Sequence, residues 1–414
     1  MSKHWIFRVL PLSLAGLLGI AHAGPLSFKA ALELAEQQSP NLAANTAQYQ
    51  AAQASAIPAG ALPDPKLFVG VENYPVSGMD SGHLKRDFMT MQKFGVMQEV
   101  PNSAKRKARE DIAGAGIEIA SAQRLVLRQQ LRRDTSVAWL NRYYLERKVS
   151  LFDELDRENK RLADAVRAQI AGGKSLAADA VMPRQEAVQL ADRRDELTRD
   201  LTKARAVLRR LIGTAADGGI AGEPPALPVS GEHLHRQLEQ HPELLAFTAE
   251  TRKAEAEVRE ADAMKRSDWG VALAYQKRAP EFGDMVSVQL TFELPIDTGR
   301  RQDPLIAAKR LELNRIDAER EAMLREHVNQ LENELADYAA LTNQLERAEK
   351  VALPLAQEKV DLQTAGYKAG RGDLSAVLAA RRELIDQRLK VIELQSQRAA
   401  MAAQLHFAYG DIAQ

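Results

Sequence analysis

VSVQLTFELPIDTGRR (Val286–Arg301) is two kinds of sequence joined at a proline. Up to Leu294 it keeps a strict period of two: Val286, Val288, Leu290, Phe292 and Leu294 alternate with Ser287, Gln289, Thr291 and Glu293. That is the pattern of a strand with one apolar face, and its nine residues are about what a tilted membrane strand needs. After Pro295 comes a basic pair, Arg300-Arg301, and then a helical pattern that runs to about Thr364. The same join occurs earlier in the chain, as FGVMQEVPNSAKR (Phe94–Arg106), where Glu99-Val100-Pro101 precedes the basic Lys105-Arg106.

The segment Leu26–Gly213 reappears in diverged form from Gly231 to Gly410. Each copy opens with a helical stretch carrying a Ser39-Pro40 or His241-Pro242 step. Each continues with two strand-like runs, which predict hairpins over 66–100 and 268–296. Each then has a very long helical pattern, broken at IAGGKSL (Ile170–Leu176) or KAGRGDL (Lys368–Leu374). A closing helix ends in LRRLIG (Leu208–Gly213) or LHFAYG (Leu405–Gly410). A unit of this size is far longer than the roughly 20–50 residues of solenoid repeats. The expected division is a signal peptide over 1–23, a first repeat over 24–213, a linker over 214–230, a second repeat over 231–410 and a tail over 411–414.

The long helical stretches show heptad seams. In the first copy the seam runs through Leu145, Val149, Phe152, Leu155, Leu162 and Val166, and Arg142 and Asn159 interrupt it. In the second it runs through Leu324, Val328, Leu331, Leu335, Tyr338, Leu345, Ala348, Ala352 and Leu355. Between Pro101 and Gln169 there is no interior proline and no glycine after Gly116. A helix of that span is about 100 Å long. Pro183 and Pro354 fall inside helical patterns and are expected to loosen them. The glycines near 171–175 and 369–373 mark helix reversals, with Ser175 and Asp373 expected to cap the helices that follow.

Composition narrows the function. The 414 residues carry 56 basic and 56 acidic side chains, so no charge excess favours a nucleic-acid partner. Lys3, His4 and Arg8, the apolar stretch Val9–Ile20 and Ala21-His22-Ala23 follow the three-part pattern of a secretory signal. With no cysteine there is no disulfide framework, no thiolate metal site and no lipidated N-terminal cysteine. Charged residues cut every long helical region, so an exported chain of this kind enters a membrane only as a β-barrel. Four strands cannot close a barrel, which takes about eight, and the chain must therefore oligomerise to insert.

Taken together, these features resemble the TolC-like outer membrane efflux proteins, in particular the heavy-metal branch. QEVPNSAKR (Gln98–Arg106), YKAGRGDLSAVLAARREL (Tyr367–Leu384) and AGALPDPKLFVGVENYPVSG (Ala59–Gly78) carry the resemblance. It implies a mainly α fold with a small β part: a trimeric α-helical barrel continued by a twelve-stranded outer-membrane β-barrel, with four strands from each protomer. It also implies a homotrimer in outer-membrane lipid, a periplasmic adaptor, an inner-membrane RND-type pump and no cofactor. Some members place aspartates six and nine residues after the tip glycine. Counted from Gly370 these positions are Ala376 and Ala379, which leaves Asp373 or Asp179 as candidates for an acidic gate.

Gly172, Lys174, Ser175, Gly370, Arg371, Asp373 and Leu374 are expected to dock the adaptor and set the closed tip. Lys105, Arg106, Arg300, Arg301, Trp269 and Tyr275 are expected at the membrane interface, with Phe94 and Phe292 completing the aromatic girdles. No HExxH, GxSxG or P-loop motif supports catalysis. No metal site is expected. Met79, His83, Met89 and Met91 are weak thioether and imidazole candidates, Met89 and Met91 being equally explained as apolar strand positions. His233 and His235 beside His241 fit no ligand spacing. Alternatives at this point are a drug-export or type I secretion duct and, in a different class, a periplasmic coiled-coil adaptor or structural protein.

Overall fold

The computed structural model describes residues 25–173 and 175–410. The expected signal peptide, Lys174 and the tail at 411–414 lie outside the described residues. The first half runs α1 (Phe28–Gln38), α2 (Pro40–Ala56), β1 (Lys66–Glu72), β2 (Met91–Val100), α3 (Ser103–Ala171) and α4 (Met182–Ile212). The second runs α5 (Gly231–Gln237), α6 (Pro242–Ala263), β3 (Trp269–Lys277), β4 (Met285–Phe292), α7 (Thr298–Arg347), α8 (Leu353–Lys368) and α9 (Leu374–Tyr409). No helix among the described residues is long and apolar enough to cross a membrane.

The strands form one antiparallel sheet in the order β1-β2-β3-β4. The helices repeat that order. Near the sheet, α2 packs on α3, α3 on α6 and α6 on α7. Farther away, α4 takes the place of α2 and α9 that of α6, so α4 packs on α3, α3 on α9, and α9 on α7 and α8. Each strand connects directly to the helix that continues it, which is why the two orders agree. The protomer is thus a ribbon four elements wide from end to end.

Two long helices give the ribbon its length. α3 has 69 residues, about 100 Å at helical rise, and Asn102 caps its start by accepting a hydrogen bond from Lys105 N at 2.9 Å. On the other side, α7 and α8 are joined by a π turn at Ala348–Ala352. Pro354 has no N–H, and its ring opposes the carbonyl of Lys350 inside that turn. A widened turn there relieves the clash. The extra residue also shifts the seam. Leu345 and Ala348 are buried as the heptads predict, but Leu355 is 59% exposed and Ala356 is buried in its place. Pro183 does not interrupt a helix: a 3₁₀ turn at Ala177–Val181 comes first, and Pro183 lies in the opening turn of α4, where it is tolerated.

Halfway along α3 the chain ties itself together. Trp139 is fully buried among Leu208, Ile212, Ala216 and Ala403, and its ring N–H donates to the Leu26 carbonyl at 3.1 Å. Arg142, which reads as a flaw in the seam, is 1% exposed. It donates to the carbonyls of Ala216 at 2.5 Å and Gly218 at 2.6 Å, and to Glu146 at 2.9 Å. The guanidinium therefore holds the segment after α4 against the middle of α3. Arg142→Met keeps the apolar stem but strands these acceptors. It should destabilise the protein by about 2–3 kcal/mol, read as a lower thermal midpoint in detergent. Glu146→Gln, at a partly exposed pair, should cost under about 1 kcal/mol.

Candidate functional site: wall, junction and tip

The register gives the sheet two unlike faces. One carries Leu67, Val69 and Val71 on β1, Phe94 and Val96 on β2, Trp269, Val271, Leu273 and Tyr275 on β3, and Val286, Val288, Leu290 and Phe292 on β4. These are apolar side chains facing solvent: Leu67 is 76% exposed and Val288 68%. Trp269 pairs with Phe292 and Phe94 with Tyr275, two aromatic levels six residues apart along β3, or about 20 Å. At the far level the Tyr275 hydroxyl donates to the Asp284 carboxylate. The opposite face mixes polar and small residues with Phe68, Met91, Met97 and Met285. There Lys66 pairs with Glu99 at 2.5 Å, Lys93 with Glu72 at 3.4 Å, and Gln276 donates to Ser287 Oγ at 3.1 Å.

Where sheet meets helices, Asp268 is the anchor. It accepts from the Asn102 backbone N–H and side-chain amide, both at 2.8 Å, and from Lys105 Nζ at 2.8 Å. The Asn102 amide also donates to the Ala263 carbonyl at 3.1 Å. These bonds tie the β2–α3 crossing to the α6–β3 crossing. Lys105 is therefore a strut and not a cation free for lipid headgroups: its side chain is 18% exposed and held by Asp268. Arg106 is half-buried, whereas Arg300 and Arg301 lie exposed.

At the other end, Gly173 (φ +70°) and Gly370 (φ +74°) take the left-handed conformation at matching places after α3 and α8. That role falls to Gly173, since Gly172 has φ −83°. Asp373 caps α9, accepting from Ser375 N at 3.3 Å. Ser375's hydroxyl and N–H hold this carboxyl below the usual carboxylate range. Ser175 caps nothing: its hydroxyl is within hydrogen-bond distance of Gln169 Oε1 (3.1 Å) and Tyr367 Oη (2.8 Å), joining the two reversals to each other. Asp179 accepts from Leu176 N at 3.0 Å, so both candidate gate acids are committed to their own backbone. Leu374 is buried with Val166 and Leu378 and shapes the tip from inside, out of direct reach of a partner. Gly172, Gly370, Arg371 and Asp373 are exposed.

The weak metal candidates Met79, His83, Met89 and Met91 lie in the loop between β1 and β2 or at the start of β2. Met79 and Met89 lie exposed in the loop between β1 and β2, so Met89 is not a strand residue. Met91 begins β2, and the His83 ring contacts the Ser81 carbonyl at 3.0 Å. His235 bonds back to the Gly231 carbonyl at 2.8 Å. His241 is buried beside Glu243 and His327. That last partner lies on α7, too far along the chain for any local spacing to reveal it. Burial first, and then the neighbouring His327, push the His241 pKa down to about 4.

Residues 233–411 match the family described as Outer membrane efflux protein. The cobalt-zinc-cadmium resistance protein CzcC of Cupriavidus metallidurans is 25% identical over 377 residues, covering 89% of this chain and 86% of that one. Among solved structures, CusC superposes with a TM-score of 0.76 at 17% identity, over 92% of each chain. The outer membrane protein VceC of Vibrio cholerae gives 0.74 at 18%, over 92% of this chain and 96% of that one. The second half is thus similar to outer membrane efflux proteins, a first half built from the same elements in the same order accompanies it, and the fold of those solved structures extends over nearly the full length.

Proposed function

We propose that three copies of this chain close into one outer-membrane exit duct for heavy-metal cations. The observation that carries this reading is a four-stranded sheet with an exposed apolar face and two open edges. In hydrocarbon every backbone N–H and C=O has to be paired, so an open edge has to find another strand. Joining β4 of one protomer to β1 of the next is a head-to-tail contact, which forms a ring when the rotation closes. Three protomers supply twelve strands, enough for a barrel. The helical edges suit the same contact. α2 buries none of its residues within the protomer, and Leu305, Leu311, Leu355 and Leu362 lie exposed along α7 and α8.

In this reading the signal peptide spans 1–23 and the repeats 24–213 and 231–410, joined by 214–230. The mature protein extends from the outer membrane into the periplasm. It has no chemistry of its own. An inner-membrane RND-type pump supplies the energy through a periplasmic adaptor, which docks at exposed Gly172, Gly370, Arg371 and Asp373. Similarity to a cobalt-zinc-cadmium resistance protein along 89% of the chain supports metal cargo.

Val288, midway along β4, faces lipid in this arrangement, and Gln289 faces the lumen. Val288→Arg should cost about 2–4 kcal/mol of barrel stability and deplete the heat-modifiable trimer from outer-membrane fractions. Gln289→Arg should leave trimer yield unchanged, and equal loss in both variants would contradict the assignment of faces.

In a deletion strain, Arg371→Glu should reduce tolerance to zinc, cobalt and cadmium without reducing trimer. Asp373→Asn keeps a capping side chain but removes the charge, so it separates docking electrostatics from helix capping. A strain whose metal tolerance ignores both variants, or whose defect is confined to organic compounds, would overturn the reading of the tip or of the cargo respectively.

A further inference from the structure

The duplication supplies its own control for one unusual place. In the first half the helix start before Pro40 is capped by Ser39, which accepts from Leu42 N at 3.2 Å. In the second half His241 holds the same position before Pro242 and accepts from Glu243 N through Nδ1 at 3.3 Å. Histidine is outside the group of preferred capping residues, and this one is 6% exposed. Against it, from the middle of α7, lies His327 at 7% exposure, with ring centroids 4.1 Å apart and planes tilted by 44°. Glu243 Oε2 is 3.0 Å from His327 Nε2. Tyr409 closes one side, 5.8 Å from the His241 ring and 6.2 Å from that of His327. The other ring nitrogen of His327 is buried with no hydrogen-bond partner, a loss of about 1–3 kcal/mol. Two imidazoles pressed together are a costly way to do what one serine does in the first half.

We infer that His241, Glu243 and His327 bind a divalent transition-metal cation of the zinc and cobalt class, clipping the start of α6 to the middle of α7. One ligand atom from each of the three residues lies within 4.8 Å of the others. Ligands at about 2.1 Å from a tetrahedral ion stand ~3.4 Å apart, so small side-chain rotations close the set. Two imidazole nitrogens and one carboxylate oxygen leave a fourth position for water, as in three-ligand zinc sites. The nitrogen donors select against magnesium and calcium, which take oxygen, and the absence of sulfur selects against Cu(I). The site adjoins the packing of Leu234, Leu331, Leu405 and Tyr409, so a bound ion would stiffen the wall where α5, α7 and α9 meet. This clip is independent of what the pore carries.

The test uses the full-length protein in detergent, free of affinity tag and stripped with chelator, and titrates it with Co2+ and then Zn2+. One Co2+ per chain, an absorption spectrum of tetrahedral nitrogen-oxygen coordination and displacement by Zn2+ are expected. Zn2+ should also raise the thermal midpoint, since it binds only the folded state. His327→Ala and Glu243→Gln should weaken binding by more than the roughly 10–100-fold that loss of an outer-shell partner costs. His241→Ser installs the first half's cap and should keep the fold while losing the ion. His233→Gln and His235→Gln should bind as the parent does. Substoichiometric Co2+ in the parent, or undiminished binding in folded His241→Ser, would overturn the site. Metal tolerance in the deletion strain reports separately on cargo: binding without a tolerance phenotype supports the clip and removes the export reading alone.

Discussion

Unpaired backbone groups at the two edges of a four-stranded sheet are the constraint on which the architecture depends. Among the described residues β1 and β4 each present one side with no partner, and the sheet between them turns an apolar face outward. In water such an edge is an aggregation hazard, and in lipid it cannot persist. Closure by further copies satisfies both environments at once. Because each strand continues into a helix of the same rank in the ribbon, closing the sheet closes the helical wall with the same operation. No separate recognition surface is needed for the helices. Their edges have only to be compatible, as an alanine-rich α2 without buried residues and an α7 with exposed leucines are.

A wall of this kind also requires its two long members to agree in length and phase. α3 runs 69 residues without a break, whereas its counterpart is assembled from 50, 5 and 16 residues across a π turn. The turn re-phases the seam by one residue, moving burial from Leu355 to Ala356. The Asn102–Lys105–Asp268 knot fixes the other end, where strands tilted for a barrel have to hand over to helices packed side by side. Asparagine suits this place because it can cap α3 through its oxygen while its amide nitrogen donates to the neighbouring crossing.

Elements whose pattern repeats over many residues were legible in the sequence. The alternation from Val286 to Phe292 and the heptads from Leu324 to Leu345 each depend on neighbours at fixed spacing, and the structure has β4 and α7 there. What escaped depends on partners far along the chain. Arg142 reads as a break in a seam because its acceptors, Ala216 and Gly218, lie beyond a helix reversal. Lys105 reads as a membrane anchor because Asp268 is 163 residues away. Ser175 reads as a cap because its partner Tyr367 belongs to the other repeat. Leu374 reads as a tip residue because sequence cannot tell an exposed leucine from one facing the opposite hairpin.

The two halves of the chain answer to the same wall, so a position that serves only the wall can keep equivalent chemistry in both. Ser39 and His241 do not. Both start a helix before a proline and both accept one backbone N–H, yet one does so with a small half-exposed hydroxyl and the other with a buried ring against a second buried ring. Helix capping explains the serine fully and leaves most of the histidine unexplained. The surplus is a pair of imidazoles and a carboxylate converging from two helices that the wall already holds together by ordinary packing. Since packing does not call for them, the chemistry they share, a set of lone pairs that one cation can satisfy together, is the economical reason for their presence.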